Sequence, residues 1–421
     1  MLLYPGMDRA HCPLTPEGTF SERSVAVADY DAHDVLFRLY YPTDMTGIAR
    51  FTSRPRWISS QDYARGYVHF LHNIPSLSFF NQLLCWFQHL FMYCVFYLAR
   101  LPVHVNKAPT NEIGKLPVVV FSHGLSGMRT TYSFLCHRLA AAGYVVAAVE
   151  HRDGSASHTY AWENDSQRSF PYVHMPYDPV PNGPVILKKR REQVTFRVGE
   201  MSKVLDLLES LDQGTLRENR LGGQQIHLNS NASDFIGRLN FDNVTAIGHS
   251  FGAATVIKVC GEDKRFARCV ALDPWLYAVP EDDLGRLPAR AMPHLNISGA
   301  SWNPVWRNED PKGNNEARME FLQQSYKASC PGAFARVDVA GMRHEQFSDF
   351  FVFVPHILRK KLKICPFEAL NITMQAIQSF LKATSKSCES QQMCKQFLGE
   401  MDKFQDDASK VSIKHFSHGI E

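Results

Sequence analysis

No C-x-x-C pair and no metal-ligand spacing links the ten cysteines, which are scattered from Cys12 to Cys394. That scatter excludes a small disulfide framework, so most of the thiols are expected to be free, and no metal is expected. The amino terminus, MLLYPGMDRAHCP, lacks a basic start followed by a long apolar run, and Leu2 stands where N-myristoylation requires glycine. The expectation is a cytoplasmic protein with peripheral membrane association; a signal lying upstream of these residues would make it secreted. Charge of one sign is also lacking. A formal net charge of +3 leaves no electrostatic footprint for nucleic acid, and the one dense basic cluster, Lys188-Lys189-Arg190-Arg191, reads as a solvated helix start. The N-x-S/T sites at Asn164, Asn231, Asn243, Asn296 and Asn371 would favour secretion, but Asn243 and Asn296 flank expected core strands, where a glycan has no room. No internal repeat is present.

What the chain does have is apolar mass. With 421 residues, 45% of them hydrophobic and 21% charged, it can bury a large core, and we expect a single domain over residues 1–384 with a frayed, charged appendage at 385–421. Residues 76–98, SLSFFNQLLCWFQHLFMYCVFYL, are rich in aromatics but interrupted by Asn81, Gln82, Gln88 and His89. These polar residues repeat about every seven positions, on one helix face, which fits a helix lying on lipid better than one crossing it. Phe79, Trp86 and Phe87 are its expected lipid contacts. A helix packed on the core is the alternative.

Elsewhere the pattern alternates in type, as a mostly parallel sheet with crossover helices requires. VLFRLYY (35–41), PVVVFS (117–122) and YVVAAVE (144–150) read as strands, and TYSFLCHRLAAA (131–142) as a helix between the last two. A polar loop runs from His151 to about Pro184, followed by a helix at 190–212 and an irregular stretch at 213–240. Residues 242–249 then read as a strand, Ala253–Cys260 as a helix, CVALD and HLNISGA as strands, 301–315 as a polar insertion, 316–328 as a helix, and AFARVDVAG as a final strand.

Between the strand at 242–249 and its helix stands GHSFG, with Ser250 between two glycines. A G-x-S-x-G turn in that setting is a nucleophile elbow, which holds a serine Oγ clear of the sheet. An activated serine needs a base and a group that orients it, and in this architecture they follow in the order acid, then histidine. His344 is the best-placed base, because GMRHEQFSDF follows a strand; His294 begins a strand, His356 lies in an apolar run, and His415 and His418 are in the tail. Asp273 is the expected acid because it ends the strand CVALD, whereas Asp282, Asp283 and Asp310 lie in polar loops. The oxyanion of an acyl-transfer intermediate takes backbone N–H donors from Phe251, after the serine, and from Leu125, in the loop FSHGLSG.

The runs FSHGLSGMRTTYS, AAVEHRDGSAS, IGHSFGAATVI, EDKRFARCVALD and HEQFSDF resemble the platelet-activating-factor acetylhydrolases of the plasma and intracellular type-II group. The resemblance extends from about Leu36 to Ala383. It implies an α/β-hydrolase fold, a mostly parallel central sheet flanked by helices, and a serine-dependent phospholipase that needs neither calcium nor a cofactor. It also implies Ser250 as nucleophile, Asp273 as acid, His344 as base, Leu125 and Phe251 as the oxyanion hole, and a lipid-facing helix where 76–98 stands. The implied substrate is a phospholipid with an acetyl or short oxidised sn-2 chain, met at a membrane or lipoprotein surface. Ala253 in place of a second glycine, Pro274 in place of a small residue, and the longer spacing from Asp273 to His344 depart from the family pattern and bear on acyl-chain preference. The same site would serve a carboxylesterase or lipase on small esters, and a silent α/β-hydrolase fold could bind lipid without cleaving it.

Overall fold

The strand-forming runs Val118–Phe121 and Val145–Val149 are apolar throughout, with no alternation, which marks strands covered on both faces. In the computed structural model, which describes residues 23–32, 34–47, 49–72, 90, 96–163, 166–175, 183–216, 232–301, 314–330, 332–353, 359, 362–384 and 411–415, both are buried and pair in parallel. The chain divides into two compact units, Met1–His174 with Gly199–Asn240, and Met175–Val198 with Phe241–Glu421.

In the first unit, β1 (Ser24–Ala32) and β2 (Val35–Thr43) form an antiparallel pair, and a two-residue β3 (His104–Val105) lies parallel to β1. β4 (Leu116–Ser122) lies parallel to β5 (Val145–Glu150), which pairs antiparallel with β2, so the strand order is β4-β5-β2-β1-β3. The helix α1 (Gln61–His72) precedes β3, and α2 (Ser133–Ala141) makes the crossover from β4 to β5. A buried ionic network ties these elements together. Arg38 grips Asp29 at 2.6 Å, and Arg129 joins Asp29 to Glu150, which also accepts from Tyr63 and Thr159. Burial alone would raise the Asp29 pKa, but the two guanidiniums override it and hold the carboxyl ionised. Residues 151–184, expected as a polar loop, contain a hairpin of β6 (His158–Glu163) and β7 (Ser166–Pro171). Thr159, Tyr160 and Trp162 give that segment the β-branched and aromatic content of a strand, which its prolines and charges obscure.

In the second unit, β8 (Leu239–His249), β9 (Phe266–Leu272), β10 (His294–Ser301) and β11 (Phe334–Arg343) pair in parallel in that order. The antiparallel strand β12 (Val411–His415) adds to the free edge of β11. The expected frayed tail therefore carries a sheet strand: VSIKH is short, but an unpaired edge offers its backbone a full set of partners. The helices are α3 (Pro184–Asp212), of which the part up to Val198 belongs here, α4 (Phe251–Glu262), α5 (Glu281–Ala289), α6 (Asn314–Ser329) and α7 (Pro366–Ala383). α7 opens on Pro366 at its first turn and buries Leu370, Met374, Ile377 and Leu381, a spacing of three to four residues that puts them on one face. No described helix is long and apolar enough to cross a membrane. Phe79, Trp86 and Phe87 lie outside the described residues.

Candidate active site

Three parallel strands of the second unit end at the same edge of their sheet, and each carries one of the residues singled out from the sequence. In an open α/β sheet the carboxyl ends of the strands are where ligands bind. Ser250 follows β8, Asp273 follows β9, and His344 follows β11.

Ser250 joins β8 to α4 with φ 57° and ψ −116°. A side chain at positive φ is strained by roughly 1–3 kcal/mol. The turn is over-determined from both sides: Ser250 N–H donates to Leu272 O at 2.9 Å, while Ser250 O accepts from Ala253 at 3.0 Å and Trp275 at 3.1 Å. The first glycine of the motif has a steric reason. A Cβ on Gly248 would lie 2.3 Å from the Gly252 carbonyl oxygen, so only glycine lets strand and helix pass so closely.

The His344 ring lies with Nε2 2.9 Å from Ser250 Oγ and Nδ1 2.6 Å from Asp273 Oδ2. A carboxylate only accepts, so Nδ1 carries the proton and Nε2 presents its lone pair to the serine hydroxyl. Asp273 is itself at φ 42°, and its other oxygen accepts Gly299 N–H at 3.3 Å. The β10–β11 register shifts between Gly299 and Ser301, and a Cβ at Gly299 would meet Met342 O at 2.7 Å. Bulges of this kind aim side chains next to functional sites. The three side chains are almost wholly buried, with Ser250 at 8% exposure, Asp273 at 1% and His344 at 6%.

Several supporting residues escaped sequence reasoning because their partners are distant in the chain. Asn315 accepts from Leu276 N–H at 2.7 Å and donates to Pro274 O at 3.2 Å, bracing the turn that carries Asp273. Gln346 spans Arg343 N–H at 2.8 Å and Ile364 O at 3.1 Å, fixing the short 3-10 turn His344–Phe347. The His249 ring packs on His344 at 4.5 Å between centroids and on Phe347 at 5.3 Å. Burial first, and the neighbouring imidazole second, push its pKa well below the usual histidine value, so it adds no positive charge beneath His344.

Phe251, the first residue of α4, is fully buried under the Arg197 guanidinium at 4.6 Å, with Trp275 5.6 Å away and Tyr277 stacked on Trp275 at 5.7 Å. Leu125 belongs to the first unit, in the turn after β4, where Gly124 N–H donates to Tyr132 Oη at 3.1 Å. Among the described residues no group of three or more His, Cys, Asp or Glu is gathered as a metal site requires.

A strand, a strained serine and a helix, with an aspartate after the next parallel strand and a histidine beyond it, define the α/β-hydrolase class. Within that class the chain belongs to the platelet-activating factor acetylhydrolase, isoform II, family of ester hydrolases, whose model matches residues 24–402. Curated relatives carry the same family name. The platelet-activating factor acetylhydrolase of Cavia porcellus is 29% identical over 85% of this chain and 74% of its own length. That of Gallus gallus is 29% identical over 83% of this chain and 78% of its own. That of Canis lupus familiaris is 33% identical over 62% of this chain and 54% of its own. A ferulic acid esterase from Streptomyces cinnamoneus aligns in structure over 88% of this chain and 94% of its own, with 16% identity and a TM-score of 0.48.

Proposed function

We propose that this chain hydrolyses the sn-2 ester of phospholipids bearing acetyl or short, oxidised acyl chains, by a serine mechanism that does not need calcium. The observation that carries the reading is the hydrogen-bonded chain from Ser250 through His344 to Asp273, set at the strand ends inside the span that matches the family. His344 Nε2 takes the hydroxyl proton as Ser250 Oγ bonds to the ester carbonyl carbon, and the carbonyl π electrons move onto oxygen. Asp273 holds the imidazole and stabilises the imidazolium. The N–H groups of Leu125 and Phe251 stabilise the oxyanion. Collapse of the intermediate breaks the bond to the lysophospholipid oxygen, which leaves with the proton from His344. Water, deprotonated in turn by His344, then releases the acid and restores Ser250.

Residues 76–98 bring the active site to lipid in this reading, through Phe79, Trp86 and Phe87. Their replacement by serine is expected to lower sedimentation with liposomes and to spare turnover of a soluble ester. The substrate assignment is tested by hydrolysis of an sn-2 acetyl phospholipid against its long-chain counterpart in the presence of a calcium chelator, with Ser250→Ala beside the wild type. Selective acetyl release that vanishes in the variant is the expected result. Cleavage of a small ester without either phospholipid would move the reading to a general carboxylesterase, and silence on all three would leave a lipid-binding module.

A further inference from the structure

The strand β4 ends in Ser122, and the next residues are His123, Gly124 and Leu125. The Gly124 carbonyl and the Leu125 N–H are the two ends of one peptide group. A trans peptide is planar, with N–H and C=O pointing in opposite directions, so whatever fixes the carbonyl also aims the N–H.

Two donors fix that carbonyl: His123 Nδ1 at 2.7 Å and Gly127 N–H at 3.1 Å. The carbonyl only accepts, so His123 carries its proton on Nδ1. Its Nε2 therefore presents a lone pair, and that atom accepts His151 N–H at 3.1 Å. His151 is held in turn by Glu200, whose Oε2 lies 2.7 Å from His151 Nδ1 and whose Oε1 accepts Arg152 N–H at 2.9 Å. His123, His151 and Glu200 are all at most 3% exposed, and the approach of His123 requires glycine at 127, where a Cβ would lie 3.0 Å from His123 Nδ1. Two hydrogen bonds on a carbonyl also polarise its peptide and strengthen the N–H at the other end.

We propose that His123, backed by His151 and Glu200, is the positioning residue for the Leu125 N–H as an oxyanion donor. The inference rests on the reading of Leu125 given under the proposed function. A side chain that does no more than fill space would be replaceable by any residue of like volume. A positioning role is instead specific to one ring atom: asparagine can put a donor nitrogen where His123 Nδ1 stands, whereas glutamine reaches the place of Nε2.

The experiment measures kcat and KM on a soluble acetyl ester, together with inhibition by a trifluoromethyl ketone and by the matching methyl ketone, for wild type, His123→Asn, His123→Gln and Glu200→Gln. Ser250 Oγ adds to the activated ketone and leaves an alkoxide in the hole, so its affinity reports oxyanion stabilisation without turnover. The expected result for His123→Gln is a fall in kcat of about 10²-fold with KM little changed, the size seen when one oxyanion donor is lost. Affinity for the trifluoromethyl ketone falls in parallel, His123→Asn recovers most of both, and Glu200→Gln loses about fivefold. If the wild type binds the trifluoromethyl ketone tightly while every variant keeps wild-type kcat and affinity, the relay is wrong. Equal effects of asparagine and glutamine overturn it too. If the wild type shows no preference for the trifluoromethyl ketone over the methyl ketone, the oxyanion-hole reading itself fails. Should the His123 variants not fold, Glu200→Gln decides alone: wild-type kcat in that variant refutes the proposal.

Discussion

The two units each hold a serine–histidine–carboxylate chain of nearly the same dimensions. In one, His344 lies 2.9 Å from Ser250 Oγ and 2.6 Å from Asp273; in the other, His151 lies 2.8 Å from Ser122 Oγ and 2.7 Å from Glu200. Distance does not separate them, so hydrogen-bond geometry alone does not make a nucleophile. Backbone and access do. Ser250 is lifted out of its strand at positive φ and keeps 8% exposure, whereas Ser122 remains within β4, in register with Val149, and is fully buried. A hydroxyl inside a sheet can satisfy a buried imidazole but cannot reach an ester carbonyl.

The strongest way to break this comparison is to remove each serine. Ser250→Ala is expected to lower kcat by about 10⁶-fold, the scale of losing a nucleophile in such a triad. Ser122→Ala should cost only a few-fold. Comparable losses in a steady-state ester assay would mean that the wrong chain has been assigned to catalysis. Next in size, Asp273→Asn should lower kcat by about 10⁴-fold, because an amide can hold the wrong imidazole tautomer and cannot stabilise the imidazolium. If that variant loses no more than Glu200→Gln, the two carboxylates are equivalent and the distinction collapses.

The three residues of the Ser250 chain were legible in the sequence because each follows a strand-forming run: Ser250 and Asp273 directly, His344 in the segment GMRHEQFSDF after AFARVDVAG. The second chain was not, since Ser122 ends one strand, His151 follows another and Glu200 lies in a helix, and nothing in their spacing links them. The same limit applies to Asn315 and Gln346. Among the elements, β4, β5, β9 and α4 were readable from continuous apolar runs or small helix-compatible residues. The acidic, glycine- and proline-containing EDDLGRLPA reads as a loop, yet α5 forms because its first turn is acidic and Leu284 and Leu287 are buried one turn apart. β12 depends on the free edge of β11, which no local pattern reveals.

Smaller effects sharpen the contrast in backbone and in charge. Gly248→Ala places a methyl 2.3 Å from a carbonyl oxygen that α4 holds in place, so a loss of about 2–3 kcal/mol in urea unfolding is expected, with activity falling as the turn opens. Unchanged stability would show the elbow to be slack. The histidines of both chains face carboxylates, whereas His294 packs against Tyr326 and Phe334, and burial pushes its pKa down to about 3. Below about pH 6.5 the unfolded His294 binds a proton that the folded one refuses, so stability falls as pH drops toward about 3, by up to about 1.4 kcal/mol per pH unit. His294→Phe should therefore flatten the dependence of the urea midpoint on pH between about 6 and 4. Parallel curves for wild type and variant would mean that His294 is protonated in the folded state.

The smallest expected effect bears most directly on what the buried chain is for. Ser122→Ala deletes one hydrogen bond of about 1 kcal/mol, and His151 stays fixed by Glu200 on its other side. The loss should appear in urea unfolding. Ser122 is a side branch of the path from Glu200 to His123, because that path leaves His151 through its backbone N–H and not through Nε2. Stability should therefore fall more visibly than kcat. If kcat instead falls as far as in His123→Gln, the serine helps to orient His151, and the buried chain acts through all three of its members. If neither quantity moves, the Ser122 hydroxyl is dispensable, and the likeness between the two chains is geometric only.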